Sequence, residues 1–293
     1  MQLIDGKALA ATIKDEIARE VDSLKSEGKK VPHLAAVLIG DDPASQVYVG
    51  GKVKACQKVG FKSTLIKHPA TISEAEVLEI VQQLNQDADI DGFIVQLPLP
   101  DHINEEKITL AIDPKKDVDG FHPMNVGRMA IGLPTYLPAT PYGIMQMLER
   151  YNIETAGKHC VVVGRSNIVG TPMSILLSRK GKVGNCTVTL THSRTRDLPA
   201  ETLRADIIIA AIGRPDFVTE DMVKEGAVVI DVGINRVEDS TRKRGYRLVG
   251  DVDFEKVAPK CSFITPVPGG VGPMTITSLL MNTLKSAKGE VYG

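Results

Sequence analysis

The sequence contains no tryptophan, and aromatic residues fill only 4% of its 293 positions. A surface for stacking nucleic-acid bases is therefore not indicated. Charge of one sign is also missing. The net charge of −1 gives no basic field to draw the chain to nucleic acid or an anionic membrane. Apolar runs are short: Ile207 to Ile212, among the longest, falls far below the length of a membrane span. Near the first residue, Asp5 and Gly6 stand where a signal peptide needs an apolar stretch, so none is expected. Cys56, Cys160, Cys186 and Cys261 lie far apart, with no Cys-x-x-Cys pair. No zinc knuckle, dithiol motif or other metal site is indicated. Cys160 and Cys186 open apolar, strand-like runs and read as buried thiols, which fits a reducing cytoplasm.

What remains is the balance of an ordinary globular protein, 43% hydrophobic and 24% charged, with a length that suggests two domains. Strand-like and helix-like stretches alternate. Leu9, Ile13, Ile17, Val21 and Leu24 recur at helical spacing up to Gly28. The run 34–39 reads as a buried strand. Asp42-Pro43 then supplies an N-cap and a first-turn proline for a helix ending at Gly60. A strand is expected over 61–66, a helix behind the capping box Ser73/Glu76, and another buried strand over 92–96. The stretch 113–125, rich in Asp, Pro and Gly, predicts a long loop. A helix capped by Thr140-Pro141 follows. The second half repeats the pattern, with strands expected at 160–163, 187–191, 207–211, 228–232 and 263–265, and a last helix over 275–286. Strands separated by helices imply an α/β fold with parallel sheets.

The strongest local signal is Val161-Val162-Val163-Gly164-Arg165-Ser166-Asn167-Ile168-Val169-Gly170-Thr171-Pro172. A strand runs into a tight turn and then into a helix, the context for a pyrophosphate. The free N–H groups and dipole of the helix start favour phosphate. Ser166 stands where the common pattern has its middle glycine, and the last glycine comes one residue late. Without a ligand the same residues would be an ordinary strand–helix turn. The next strand sharpens the reading. An acid at its end normally holds the ribose 2′-hydroxyl of NAD, yet no Asp or Glu occurs between Gly164 and Asp197. His192-Ser193-Arg194-Thr195-Arg196 stands there instead. Ser and Arg accept a 2′-phosphate that an acid would repel, so NADP is the expected cofactor.

In the first half, Tyr48 and Lys52 share one helix face. A lone lysine on such a face is normally just solvated. Gln96 ends a buried strand ahead of Leu97-Pro98-Leu99-Pro100, and strand carboxyl ends are where open α/β sheets bind ligands. Asp117 and Asp119 lie in Lys116-Asp117-Val118-Asp119-Gly120-Phe121, where a plain Asx turn is the competing reading. His122 follows, with no nucleophile to pair with. Pro268-Gly269-Gly270-Val271-Gly272-Pro273-Met274-Thr275 exposes backbone between a strand and a helix.

Together with Asp42-Pro43-Ala44-Ser45-Gln46-Val47-Tyr48-Val49 and Asp231-Val232-Gly233-Ile234-Asn235, these stretches resemble the bifunctional methylenetetrahydrofolate dehydrogenase/cyclohydrolase (FolD) family along nearly the whole chain. The resemblance implies an N-terminal α/β folate domain over 1–140 and a Rossmann-type NADP-binding domain over 141–272. It implies a C-terminal helix, 273–293, that returns to the first domain, a folate cleft between domains, and a homodimer. The implied activity is NADP-dependent oxidation of 5,10-methylenetetrahydrofolate to the methenyl cation, then hydrolysis to 10-formyltetrahydrofolate. Lys52 would be the base, Gln96 would orient it, Tyr48 would pack on the folate and Asp119 would hold the pterin edge. Leu97, Pro268, Gly269 and Gly270 would complete the substrate contacts. Gly164, Arg165, Ser166, Ser193, Ile234 and Gly272 would bind NADP. Gly50-Gly51 departs from the larger residues usual in the family, so a soft helix around Lys52 is expected. Two other readings share some of these features. One is another NADP-dependent dehydrogenase of the same plan, similar to shikimate dehydrogenase. The other is a non-catalytic NADP-binding protein.

Overall fold

Apolar runs such as 34–39 and 207–210 form strands buried on both faces, whereas the strand Lys62–His68 alternates and is only partly covered. In chain order, β1 (Gln2–Leu3) and α1 (Gly6–Ser26) precede β2 (His33–Ile39), α2 (Pro43–Val59), β3 (Lys62–His68), α3 (Glu74–Gln86) and β4 (Gly92–Val95). Next come α4 (Glu105–Ala111), α5 (Pro123–Ile131), α6 (Ala139–Arg150), β5 (His159–Val163), α7 (Gly170–Ser178), β6 (Thr187–Thr191), α8 (Leu198–Leu203) and β7 (Ile207–Ala210). The chain continues through β8 (Val228–Asp231), β9 (Asn235–Glu238), β10 (Tyr246–Val249), α9 (Phe254–Val257), β11 (Phe263–Ile264) and α10 (Val271–Ala287). The structure is a computed structural model and describes residues 1–242 and 245–292. Among these, no helix is long and apolar enough to cross a membrane.

The chain divides into two units, one of Met1–Ala10 with Thr140–Thr275, the other of Ala11–Ala139 with the segment from Ile276 on. The second unit carries a three-stranded parallel sheet in the order β3-β2-β4. β2 is buried along its whole length, as a central parallel strand must be. Ala35, Val37, Phe93, Val77, Val81 and Ile108 form the core between this sheet and the α3–α4 side. α10 is tied to the same unit: Asn282 Nδ2 donates to Val118 O and Leu137 O, each at 2.8 Å.

The other unit has a parallel sheet in the order β1-β11-β8-β7-β5-β6. β5 lies between β6 and β7, so successive crossovers leave it in opposite directions. That switch point opens a crevice beyond the strand carboxyl ends, where doubly wound folds bind nucleotides. The α/β class with parallel sheets is as expected.

Several boundaries differ from the sequence expectation. The stretch 113–125 is not one long loop, because α5 begins at Pro123 behind His122, whose Nδ1 accepts the Met124 N–H at 3.1 Å. α6 starts at Ala139, ahead of the expected Thr140-Pro141 cap. α10 starts at Val271 rather than at 275, because Pro273 falls in its first turn, where a missing N–H costs nothing. β1 and the antiparallel β9–β10 hairpin were not expected at all.

Candidate active site

α2 is fixed at both ends by its own residues. Asp42 accepts the Ser45 N–H at 2.7 Å, Pro43 takes the first turn, and left-handed Gly60 ends the helix. Tyr48, Lys52 and Cys56 therefore follow one another at four-residue spacing on one face. β4 ends beside that face. The Gln96 N–H donates to Val37 O at 2.9 Å, which carries the ladder one residue past the strand. The side chain of Gln96 then has one consistent orientation. Its Nε2 donates to Leu97 O at 2.7 Å, and its Oε1 accepts from Lys52 Nζ at 3.2 Å. An ammonium only donates and a carbonyl only accepts, so the reversed amide would break both bonds.

Lys52 is half-buried. Desolvation pushes its pKa below the ordinary lysine value of 10.5, while the charges of Asp119 and Cys56 pull the other way and are outweighed. Burial likewise raises the Cys56 thiol to about 11, which leaves it an inert neighbour. Asp119 is half-buried, and Tyr48 is 44% exposed, an aromatic face without full cover. Leu97 is half-buried. The structure thus brings Lys52, Gln96 and Asp119 into one electrostatic group, with Tyr48 one turn away. His122 caps α5, its Nδ1 accepting the Met124 N–H.

Gly50 and Gly51 lie inside a continuous α2. A Cβ on Gly50 would meet nothing within 4 Å, whereas one on Gly51 would lie 3.2 Å from Ile276 Cδ1. Gly51 thus lets α10 come close, and Gly50 has no such packing reason. Gly50→Ala is expected to stabilise the protein by about 0.8–1.0 kcal/mol in urea unfolding, with turnover retained. Lost turnover in a stably folded variant would mean that a ligand needs this space.

In the other unit, β5 runs into the turn at Gly164, which has φ +112° and approaches β7's exit so closely that a Cβ would lie 2.1 Å from Ala211 O. Gly170 opens α7 against Gly164 O with the same tightness. Part of the helix start is already satisfied from within. Ser166 Oγ accepts the Val169 N–H at 3.1 Å and the Gly170 N–H at 3.4 Å, and Ser166 O accepts the Thr171 N–H at 3.0 Å. The expectation of several free N–H groups here is corrected accordingly. Exposed Arg165, the Ser166 hydroxyl proton and the helix dipole remain to meet an anion. Beyond β6, the Thr195 N–H donates to His192 O at 2.9 Å and the His192 N–H to Thr195 Oγ1 at 2.9 Å, a turn that leaves Ser193 and Arg194 exposed. This donor set, cationic and without an acid, fits a dinucleotide bearing a 2′-phosphate.

Two carboxylates organise this side: Asp231, which opens the 231–235 stretch, and Asp251, which the sequence did not single out. Asp251 is fully buried and accepts the N–H groups of Ile212 (2.7 Å), Gly213 (2.9 Å) and Arg214 (2.9 Å), together with Asn235 Nδ2 (2.9 Å). It thereby fixes the loop leaving β7 and the start of β9. Asp231 accepts in turn from the N–H groups of Gly233, Asp251 and Val252 at 2.9–3.0 Å. Burial dominates there and lifts its pKa to about 7. Ile234 is exposed on this loop, and a Cβ on Gly272 would lie 3.2 Å from Ile234 Cδ1, so these two candidates are adjacent. Pro268 is exposed, while Gly270 is buried against Gly6 and the Lys7 N–H donates to Gly269 O at 2.9 Å. The Gly269-Gly270 backbone thus meets the protein's own N-terminal segment.

Comparison with known proteins agrees with this division of labour. Residues 4–119 match the tetrahydrofolate dehydrogenase/cyclohydrolase catalytic domain, and residues 138–291 match the tetrahydrofolate dehydrogenase/cyclohydrolase NAD(P)-binding domain. The chain belongs to the tetrahydrofolate dehydrogenase/cyclohydrolase family. It is 65% identical to the bifunctional protein FolD of Cytophaga hutchinsonii over 98% of this chain and 99% of that one. The crystal structure of the bifunctional FolD methylenetetrahydrofolate dehydrogenase/cyclohydrolase from Campylobacter jejuni superimposes with a TM-score of 0.93 at 49% identity, covering 99% of each chain. The Trypanosoma brucei FolD, solved with NADP cofactor and an inhibitor, gives a TM-score of 0.92 at 38% identity over 99% of this chain and 98% of that one. The catalytic-domain match contains Tyr48, Lys52, Gln96, Leu97 and Asp119. The NAD(P)-binding match contains the Gly164 turn, Ser193, Ile234 and the 268–272 run.

Proposed function

We propose that this chain oxidises 5,10-methylenetetrahydrofolate to the 5,10-methenyl cation with NADP and hydrolyses that cation to 10-formyltetrahydrofolate. The observation that carries the reading is the Lys52–Gln96 pair beside Asp119, in a chain whose two halves match the catalytic and NAD(P)-binding domains of one family. Residues 1–140 and 273–293 serve the folate side in this reading, and 141–272 the dinucleotide side.

When bound, NADP supplies the hydride acceptor. The folate itself delocalises the positive charge over two nitrogens, so the protein's part in this step is alignment. Arg165, Ser166 and Ser193 hold the phosphates, and Gly164, Ile234 and Gly272 shape the space beside them. Hydration has different needs. The neutral amine of Lys52 takes the proton that water loses as its oxygen bonds to the methenyl carbon. The carbon–nitrogen bond to N5 then breaks as the new hydroxyl gives up its proton and becomes the formyl carbonyl, N5 takes up one proton, and the formyl group stays on N10. Desolvation favours the neutral amine, and a cationic substrate close by favours it further. Gln96 Oε1 fixes where that amine points. Asp119 offers two acceptor oxygens to the pterin edge, and Tyr48 offers its exposed ring to the folate. Leu97, whose carbonyl holds the Gln96 amide, completes the substrate contacts on this side. A cytoplasmic homodimer without nucleic-acid or membrane partners completes the reading.

The test is a spectrophotometric assay of NADPH formation with methylenetetrahydrofolate, followed by methenyl hydrolysis. Intact dinucleotide binding without folate turnover would leave a binding protein, or a dehydrogenase of another substrate. Cofactor choice has its own test. Ser193→Asp is expected to weaken NADP at least about tenfold more than NAD, since a carboxylate facing a phosphate is repelled. Equal losses with both cofactors would remove this turn from the 2′-phosphate site.

A further inference from the structure

Asn125, near the start of α5, is fully buried, and every hydrogen-bonding position of its amide is in use. Nδ2 donates to Pro114 O at 3.0 Å and to Asp117 Oδ2 at 2.8 Å. Oδ1 accepts the hydroxyl protons of Thr135 at 2.8 Å and Tyr292 at 2.7 Å. Two donors and two lone pairs are all that an amide has. Asp117, also buried, accepts the His122 N–H at 2.7 Å on the same oxygen, and its own carbonyl accepts the Gly120 N–H at 3.0 Å. Asp117 thus closes a tight turn from both of its ends, and Asp119 sits inside that turn.

Tyr292 is held in place by more than its hydroxyl. The Arg128 guanidinium lies 4.6 Å from its ring centroid, and the Tyr136 ring lies 5.9 Å away. Arg128 Nη2 donates to Val291 O at 3.4 Å, and its Nε donates to Pro134 O at 2.8 Å. Tyr136 itself donates to Lys115 O at 3.0 Å, just before the turn. Asn125, Thr135 and Tyr292 all lie outside the residues that match the family's two domains.

We infer that Tyr292 is a positioning residue for substrate binding: through Asn125 and Asp117 it sets the turn that presents Asp119, so folate affinity depends on the tail after α10. The inference rests on the reading of Asp119 as a substrate contact. Nothing in it involves the dinucleotide or the amine of Lys52.

Tyr292→Phe keeps the ring, its tilted contact with Tyr136 and the cation–π contact, and loses only the donated proton. The expected result is a KM for methylenetetrahydrofolate raised about 3- to 10-fold, the scale of one hydrogen bond in a buried network. kcat stays within about twofold and the KM for NADP is unchanged, a split that general loosening of the fold would not produce. In the Asp119→Asn background, Tyr292→Phe should add nothing, because the turn then has no contact left to position. An unchanged folate KM in Tyr292→Phe, alongside a raised one in Asp119→Asn, overturns the inference and leaves the Asp119 reading standing. An equal further rise in both backgrounds also overturns it, since the two residues would act independently. An unchanged KM in Asp119→Asn itself defeats the underlying reading, and the inference with it.

Discussion

Lys52→Met is expected to lower methenyl hydrolysis by about 10²- to 10⁴-fold, the usual worth of a positioned general base. Methionine keeps an unbranched apolar stem, so the face of α2 stays filled while the ionisable nitrogen goes. Hydride transfer should fall much less, because the developing cation is stabilised inside the folate. NADP binding should be unaffected, since no residue proposed to hold it belongs to α2. Wild-type hydrolysis should rise with pH as the ammonium loses its proton and level off below the ordinary lysine value of 10.5, because burial lowers that pKa. Cyclohydrolase and dehydrogenase rates on one purified variant decide the matter. Near wild-type hydrolysis would make Lys52 a packing residue of α2.

Asp251→Asn is expected to cost roughly 3 kcal/mol or more of stability and to weaken NADP and NAD alike. Four N–H donors converge on this carboxylate, from Ile212, Gly213, Arg214 and the side chain of Asn235. An amide presents its own two N–H groups to half of them, and each buried donor left unpaired costs about 1–3 kcal/mol. The loop it anchors leaves β7 at the switch point, where Gly164 makes its close approach. Loss of affinity for both cofactors separates this effect from that of Ser193→Asp, which should discriminate between them. Denaturant unfolding and direct dinucleotide titration are the measurements. Unaltered stability with unaltered binding would show that the loop holds its shape without this anchor.

The central strands of both parallel sheets were legible because they are buried on both faces and leave compact apolar runs, as in 34–39 and 207–210. α1 and α3 were legible from their spacing, and α2 from Asp42-Pro43 and Gly60. α5 was missed because Asn125 and Gly127 interrupt a short apolar pattern. The usable sign was a histidine cap, a first-turn proline and a closing Gly132. β1 is two residues long and exists only through its partner β11, near the far end of the chain. No local window could reveal it.

The candidate residues divide in the same way. Composition and local pattern determined the fold class, the strand–turn–helix at Gly164, the missing acid before Asp197 and the four-residue step from Tyr48 to Lys52. Each of these depends on side-chain identity or on neighbours within a turn, and the sequence states both. Only the tertiary structure decided that Gln96 Oε1 meets Lys52 Nζ, that burial outweighs Asp119 in setting the amine's pKa, and that Ser166 uses up part of the α7 start. It alone revealed Asp251 and Asn125 as hubs. Most partners of Asp251, and one of those of Asn125, are backbone groups brought together from distant segments. Every residue carries nearly the same backbone groups, so their convergence leaves no mark in the order of the side chains.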